Sequence, residues 1–144
     1  MTNALDFELI PLGKGATELL AKVDGVSLVE EVAAFEARRK YSPSGGYAGI
    51  IPAYFNFGDL RRYFEGHAER PWPSPGRTCL LGCDCGELGC WPLTAAIAVS
   101  TDEVIWSDFA QPHRPKWNYE GFGPFVFDRA QYADAVERAV EALV

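Results

Sequence analysis

The chain has 144 residues, of which 48% are apolar and 23% are charged. A chain of this size and composition is expected to fold as one domain around a buried core, which excludes an intrinsically disordered protein. Its formal net charge is −7, so the average electrostatic field repels phosphate backbones, and nucleic acid is not expected as a partner.

Neither a membrane span nor a secretion signal is predicted. The longest nearly apolar stretch, residues 93–99, is far shorter than the roughly 20 residues that a membrane-spanning helix needs. The first ten residues carry Asp6 and Glu8, whereas a signal peptide carries positive charge there. These features predict a cytoplasmic protein without a membrane partner.

The N-terminal part of the chain predicts two strands and a helix. Residues 7–11 and 18–23 are typical of short strands, and a glycine turn separates them. Ser27 followed by Glu30 forms a capping-box pattern in front of an apolar stripe at helical spacing. We therefore expect a helix that begins after Ser27 and ends near residues 39–40.

Several motifs in this part are interpreted as structure rather than chemistry. The Gly-Lys-Gly segment at 13–15 lacks the remaining residues of a phosphate-binding loop, and residues 42–46 lack the strand-turn-helix frame of a nucleophile elbow. Both are expected to be turns. Glu30, Glu31 and Glu36 are interpreted as the solvated face of the helix, without a functional role.

Short elements interrupted by proline and glycine are predicted next. Residues 47–55 are rich in aromatic and β-branched side chains and predict a strand, which Pro52 bends or confines to a sheet edge. Asn56 or Asp59 is a suitable cap for a short helix that ends at Gly66.

The second half of the chain predicts strands followed by a helix. Residues 78–83 predict a strand, and residues 93–100 and 104–109 predict an antiparallel hairpin. Asp128 with Gln131 repeats the capping-box pattern and predicts a C-terminal helix.

Strands in the middle of the chain, with helices before and after them, predict the fold class. We expect one α+β domain spanning residues 1–144. Its antiparallel sheet should have four to six strands, and the helices of the N-terminal half and the C-terminus should pack on one face of that sheet.

All four cysteines lie between positions 79 and 90, in the run CLLGCDCGELGC. In an extended strand, Cys79 and Cys83 would lie about 13 Å apart at roughly 3.3 Å per residue, which is too far to share one ion. Cys83 and Cys85 share a face, and the glycine-containing segment 84–89 is able to return Cys90 alongside them. The three sulfurs are therefore predicted to converge without Cys79.

Three interpretations of these cysteines are open, because a cytoplasmic cysteine cluster is more often metal-binding, catalytic or buried than disulfide-bonded. In the first, three thiolates bind zinc together with a fourth ligand. His113 is the best candidate for that ligand, and His67, Glu87 or a displaced Cys79 are the others. In the second, the glycines build a tight hairpin and the small thiols fill space beneath it. In the third, one thiol is a nucleophile activated by His113 or Arg114.

The spacing of the cysteines in the sequence helps to choose among these three interpretations. Structural zinc sites typically combine two pairs of ligands, each pair two to four residues apart, and this run supplies one such pair. A Cys-x-x-Cys motif of the thioredoxin type is absent from the sequence. On these grounds we expect no cofactor, with zinc as the alternative.

Large aromatic residues lie in or beside loops rich in proline and glycine, among them Trp72. Such residues anchor protein interfaces, or they cap the ends of a sheet as satellite clusters. The residues predicted to form a binding surface for a protein partner are Trp91, His113, Arg114, Trp117 and Tyr119.

Four pieces of the second half resemble a family of small bacterial proteins to which no activity is assigned. They are LLGCDCGELGCWP at 80–92, WSDF at 106–109, QPHR at 111–114 and FGPFVFDRAQY at 122–132. The resemblance is most specific in its Cys-x-Cys-Gly and Phe-Gly-Pro-Phe parts. It implies a bacterial cytoplasmic domain and carries neither catalytic residues nor a cofactor.

Some short proteins rich in cysteine and glycine that are distantly similar look like immunity proteins of toxin systems. By analogy, an acidic binding protein would fit that role. The sequence thus predicts a non-enzymatic cytoplasmic interaction domain. The alternative is a zinc-binding or thiol-reactive protein that uses Cys83, Cys85 and Cys90.

Overall fold

A computed structural model describes residues 2–69 and 74–143, so Trp72 lies outside the described residues. The described part contains eight strands, three α-helices and one short 3₁₀ turn. In chain order they are β1 (Leu5–Gly13), β2 (Ala16–Val23), β3 (Val26–Ser27), α1 (Leu28–Arg38), β4 (Tyr47–Ala48), α2 (Leu60–Tyr63), β5 (Thr78–Cys83), the 3₁₀ turn (Leu88–Cys90), β6 (Leu93–Val99), β7 (Glu103–Ala110), β8 (Phe125–Asp128) and α3 (Arg129–Ala142).

The strands form two antiparallel sheets, one with the order β1-β2-β3 and one with the order β4-β5-β6-β7-β8. Isolated β-bridges connect the two sheets at both edges of the larger sheet. Asn3 bridges Phe127 in β8, and Leu19 in β2 bridges Ile50 just after β4. The α+β fold is confirmed, and the larger sheet has a strand number within the predicted range. The separate N-terminal sheet was not predicted.

Helices α1 and α3 pack against these two sheets. α1 contacts β2 and β3, whereas α3 contacts β1, β7, β8 and α2. The apolar side chains between these layers include several that are almost fully buried, among them Leu5, Leu28, Leu81, Trp106 and Phe127. One continuous core therefore joins both sheets.

The helix starts agree with the predicted caps. The Ser27 hydroxyl accepts a hydrogen bond from the amide of Glu30 at 3.1 Å, and the Asp128 side chain accepts one from the amide of Gln131 at 3.0 Å. Asp59 caps α2 in the same manner. Each cap satisfies an amide that the first helical turn leaves without a partner.

The strand predicted over residues 47–55 is wrong beyond its second residue. β4 contains Tyr47 and Ala48, and residues 52–54 form a turn. The reason is a close backbone approach: a Cβ atom at Gly49 would overlap the carbonyl oxygen of Leu19. The chain leaves the edge of the larger sheet here and crosses to the N-terminal sheet, so it no longer pairs with β5.

The interpretation of Glu36 as part of a solvated helix face is also wrong, because this side chain is completely buried. One carboxyl oxygen accepts a hydrogen bond from the amide of Gly45 at 2.8 Å, and the other accepts one from the Tyr47 hydroxyl at 2.7 Å and one from the Tyr119 hydroxyl. Gln111 donates to the Tyr47 oxygen at 3.1 Å. Burial, followed by the hydrogen bond to Glu36, raises the pKa of both tyrosines.

The substitution Glu36→Ala should lower the free energy of unfolding by about 3 kcal/mol, because three buried donors lose their shared acceptor. Urea unfolding followed by circular dichroism measures this change. The control is Glu30→Ala on the exposed first turn of the same helix, which should cost about 0.5 kcal/mol. Equal effects of the two substitutions would contradict the role assigned to the buried carboxyl group.

Candidate metal centre

The cysteine turn begins where β5 ends. Cys83 is paired with Tyr47 across the sheet, and its carbonyl oxygen accepts a hydrogen bond from the amide of Gly86 at 3.1 Å. Gly86 has a φ of +97°, a conformation that side chains with a Cβ rarely adopt, so the chain reverses here. The amide of Cys90 then donates to the carbonyl of Glu87 at 3.3 Å and closes the 3₁₀ turn.

This turn brings three thiols together. The sulfur atoms of Cys83, Cys85 and Cys90 all lie within 4.8 Å of one another, as the spacing predicted. Cys83 is half-buried, whereas Cys85 and Cys90 are exposed. Cys79 is separate: it is buried within β5, and its thiol donates to the carbonyl of Leu81 at 3.0 Å. Cys79 is therefore a buried core thiol outside the turn, whereas Cys85 and Cys90 in the turn are exposed and do not fill space beneath it.

The environment of the four thiols separates their pKa values. Burial raises the pKa of Cys79 to about 12 and also raises the pKa of Cys83. The hydrogen bond to the Glu87 side chain, followed by that to Cys85, raises the pKa of Cys90 to about 12. The pKa of Cys85 is instead lowered, first by a backbone hydrogen bond from Glu87 and then by the two neighbouring thiols.

Two acidic side chains lie against the cluster. The Cys90 sulfur is 3.3 Å from a carboxylate oxygen of Glu87, and the Cys83 sulfur is 3.8 Å from one of Asp84. Their negative charge opposes the formation of further thiolates and attracts a cation. In this setting a bound positive charge favours the loss of the thiol protons.

His113, the best candidate for the fourth metal ligand, lies beside the turn, but its ring contacts a backbone carbonyl group. Its Nε2 atom is 2.7 Å from the carbonyl oxygen of Gly89, so the loop after β7 folds back over the cysteines. In the described part of the chain, the set of mutually close ligand atoms contains the three thiols and not this imidazole. His67, another candidate for the fourth ligand, lies in the loop after α2.

The aromatic residues beside the turn pack on one another. The Trp91 indole N–H donates to the carbonyl of Gly45 at 2.8 Å. The guanidinium carbon of Arg114 lies 4.9 Å from the ring centroid of Trp91 and 5.9 Å from that of Trp117. Both indole rings are half-buried, and Arg114 is exposed. A cation–π cluster thus covers this end of the sheet.

The remaining residues of the predicted binding surface lie partly inside the protein. Tyr119 is 5% exposed, and its hydroxyl is bonded to Glu36 below the surface. Trp117 stacks on Tyr41 with a centroid distance of 4.7 Å and an interplanar angle of 6°. Replacement of Trp117 is therefore expected to lower stability as well as to change the surface, whereas His113 and Arg114 are exposed.

A cleft of about 770 Å³ opens beside the thiols, and the sequence did not predict it. Two segments line it: residues 49–57 and residues 85–90. The apolar residues that follow Tyr47 in the sequence form part of this lining, but they were predicted to form a strand. The apolar side chains that line the cleft are Ile50, Ile51, Tyr54, Phe55, Phe57 and Leu88.

Comparisons with protein-family models, with curated proteins and with solved structures give no match to this chain. The resemblance to a bacterial family therefore stays a prediction. Among the residues described, the helices are all too short or too polar to cross a membrane.

Iodoacetamide should modify the four thiols of the folded protein at distinct rates, with Cys85 fastest and Cys79 unmodified. The lowered pKa and exposure of Cys85 favour its thiolate, whereas Cys79 is buried. Mass spectrometry of peptides after timed labelling measures these rates. As a control, Cys79 should become reactive in concentrated urea. Labelling of Cys79 as fast as Cys85 without denaturant would contradict the assignment.

Proposed function

We propose that this protein binds one thiophilic metal ion, with zinc as the first choice, through the thiolates of Cys83, Cys85 and Cys90. The observation that carries the proposal is the convergence of the three sulfur atoms within 4.8 Å of one another. Thiolate ligands select zinc or Cu(I) over magnesium or calcium. The turn therefore has the ligand type and the geometry of a site for a soft cation.

The distances fit a metal with little rearrangement. In a tetrahedral site with Zn–S bonds of about 2.3 Å, neighbouring sulfurs lie about 3.8 Å apart. The three thiols would each approach their neighbours by about 1 Å at most. Cys85 and Cys90 are exposed, so rotation of their side chains is unobstructed by core packing. The carboxylates of Asp84 and Glu87 add attraction for the cation.

Three protein ligands leave one position of a tetrahedral ion for water or another ligand. His113 was predicted to occupy it, but its ring is bonded to the carbonyl of Gly89. We propose that His113 keeps this contact and supports the turn from outside. The substitution His113→Ala should then weaken metal binding far less than the loss of any of the three thiols.

Cobalt(II) titration of the reduced, metal-free protein should give one equivalent of tight binding with a thiolate-to-cobalt charge-transfer band, and zinc should displace the cobalt. Removal of a residue that only supports a metal ligand typically lowers metal affinity by ~10–100-fold. The variants Cys83→Ser, Cys85→Ser and Cys90→Ser remove a ligand itself, so each should lower the cobalt affinity by more than ~100-fold. Cys79→Ser is the matched control, because it removes a thiol outside the cluster and should retain stoichiometry and affinity.

Stability gives a second measurement of the same proposal. Zinc at about a hundred times its dissociation constant should stabilise the folded protein by about 2.7 kcal/mol. This gain should be present in Cys79→Ser and absent in Cys85→Ser. A protein without the charge-transfer band, or one in which Cys79→Ser abolishes binding as completely as Cys85→Ser, would overturn the proposal.

Binding of a protein partner is the second proposal, supported by the exposed Arg114 over Trp91 and Trp117. Arginine and tryptophan are the residues that most often carry interface energy. Arg114→Ala should weaken a partner's affinity by about tenfold or more, while Arg138→Ala on α3 should leave it unchanged. Calorimetric titration of the partner into both variants measures this, and equal affinities would reject Arg114 as an anchor.

A further inference from the structure

We propose that the cleft beside the thiols binds an uncharged, hydrophobic small molecule whose nitrogen or sulfur atom occupies the fourth position of the metal ion. This inference rests on the proposed metal function and adds the class of ligand that the site takes. Three features carry it: the thiols border the cleft, apolar side chains form much of its lining, and the charge at its rim is negative.

The first feature is the position of the thiols. Cys85 and Cys90 both line the cleft, together with the backbone of the turn between them. An ion held by these two sulfurs and Cys83 therefore lies at the edge of the cleft. A molecule in the cleft is then within reach of the fourth position, which the protein's own thiols leave open.

The second feature is the size and character of the cleft. Its volume of about 770 Å³ lies in the range of small-molecule sites, which are roughly 300–1,000 Å³ and lined mainly by apolar side chains. Ile50, Ile51 and Phe57 are buried and form fixed parts of the lining. A hydrophobic body of the ligand would be stabilised there by removal of its surface from water.

Tyr54 gives the cleft a side chain that is free to contact a ligand. It is 60% exposed, although it is large and mostly apolar. A Cβ atom placed on Gly86 would lie 3.7 Å from its ring, so Tyr54 stands next to the cysteine turn. We assign it the role of closing over the hydrophobic part of the ligand.

The third feature is charge. Among the described lining residues Glu87 is the one with a carboxyl group, and none is lysine, arginine or histidine. A divalent ion with three thiolates adds a net charge of about −1. Anionic ligands such as phosphates and carboxylates are therefore repelled, whereas a neutral imidazole or thioether meets no such penalty.

The experiment uses the cobalt-loaded full chain and three probes: 4-phenylimidazole, imidazole and benzoate. Saturable changes in the visible cobalt spectrum report a ligand at the fourth position. We expect 4-phenylimidazole to bind at least about tenfold more tightly than imidazole, because its phenyl ring is buried in the cleft. Benzoate should leave the spectrum unchanged at the same concentrations.

Tyr54→Ala tests the cleft without touching the metal ligands. It should weaken 4-phenylimidazole about tenfold and leave both the imidazole affinity and the cobalt titration unchanged. Leu12→Ala is the matched control, since Leu12 is another exposed apolar residue, 42% exposed, that lies in β1 outside the lining. This control should bind all three probes as the wild type does.

The outcomes distinguish the two proposals. If cobalt fails to bind, the proposed metal function is overturned, and the ligand inference falls with it. If cobalt binds but 4-phenylimidazole is no tighter than imidazole, or Tyr54→Ala has no effect, the inference alone is overturned. Tryptophan and tyrosine fluorescence measures the binding of 4-phenylimidazole to the metal-free protein. Equal affinity for the metal-free and the cobalt-loaded protein would also overturn the inference, because the nitrogen of the ligand would then not be bound to the metal.

Discussion

The buried carboxyl group of Glu36 is the constraint on which the functional end of this protein depends. It receives hydrogen bonds from Gly45 in the loop after α1, from Tyr47 in β4 and from Tyr119 in the loop between β7 and β8. A buried carboxyl group is costly unless its hydrogen bonds are satisfied, so these loops are held in one arrangement relative to α1. Gln111 extends the network by donating to Tyr47.

The same network supports the cysteine turn. The carbonyl of Gly45 accepts the indole N–H of Trp91 at 2.8 Å, and the carbonyl of Gly46 accepts the amide of Asp84 at 3.0 Å. Both ends of the turn are thereby tied to the loop that Glu36 fixes. On the outer side, His113 contacts the carbonyl of Gly89. The thiols are thus presented on a braced backbone, which lowers the cost of ordering them around an ion.

Burial divides the cysteines into two kinds with different chemistry. Cys79 behaves as a small core residue, whereas Cys83, Cys85 and Cys90 share a partly solvated site with acidic neighbours. The apolar cleft on one side of that site and the negative charge at its rim suit a soft cation with a neutral hydrophobic ligand. Neither feature follows from the cysteines themselves, because the lining segment 49–57 lies far away in the sequence.

The sequence by itself determined the local features: the caps at Ser27 and Asp128, and the antiparallel hairpin of β6 and β7. For α2 it left the cap open between Asn56 and Asp59, and the structure has Asp59. It also predicted that three thiols within eight residues converge, since one turn between them suffices. Tertiary structure alone decided that Glu36 is buried and that the strand predicted over residues 47–55 ends at Ala48, after which the chain lines a cleft. The physical reason is that these outcomes depend on contacts between distant segments, and helical or strand periodicity describes a residue only relative to its near neighbours.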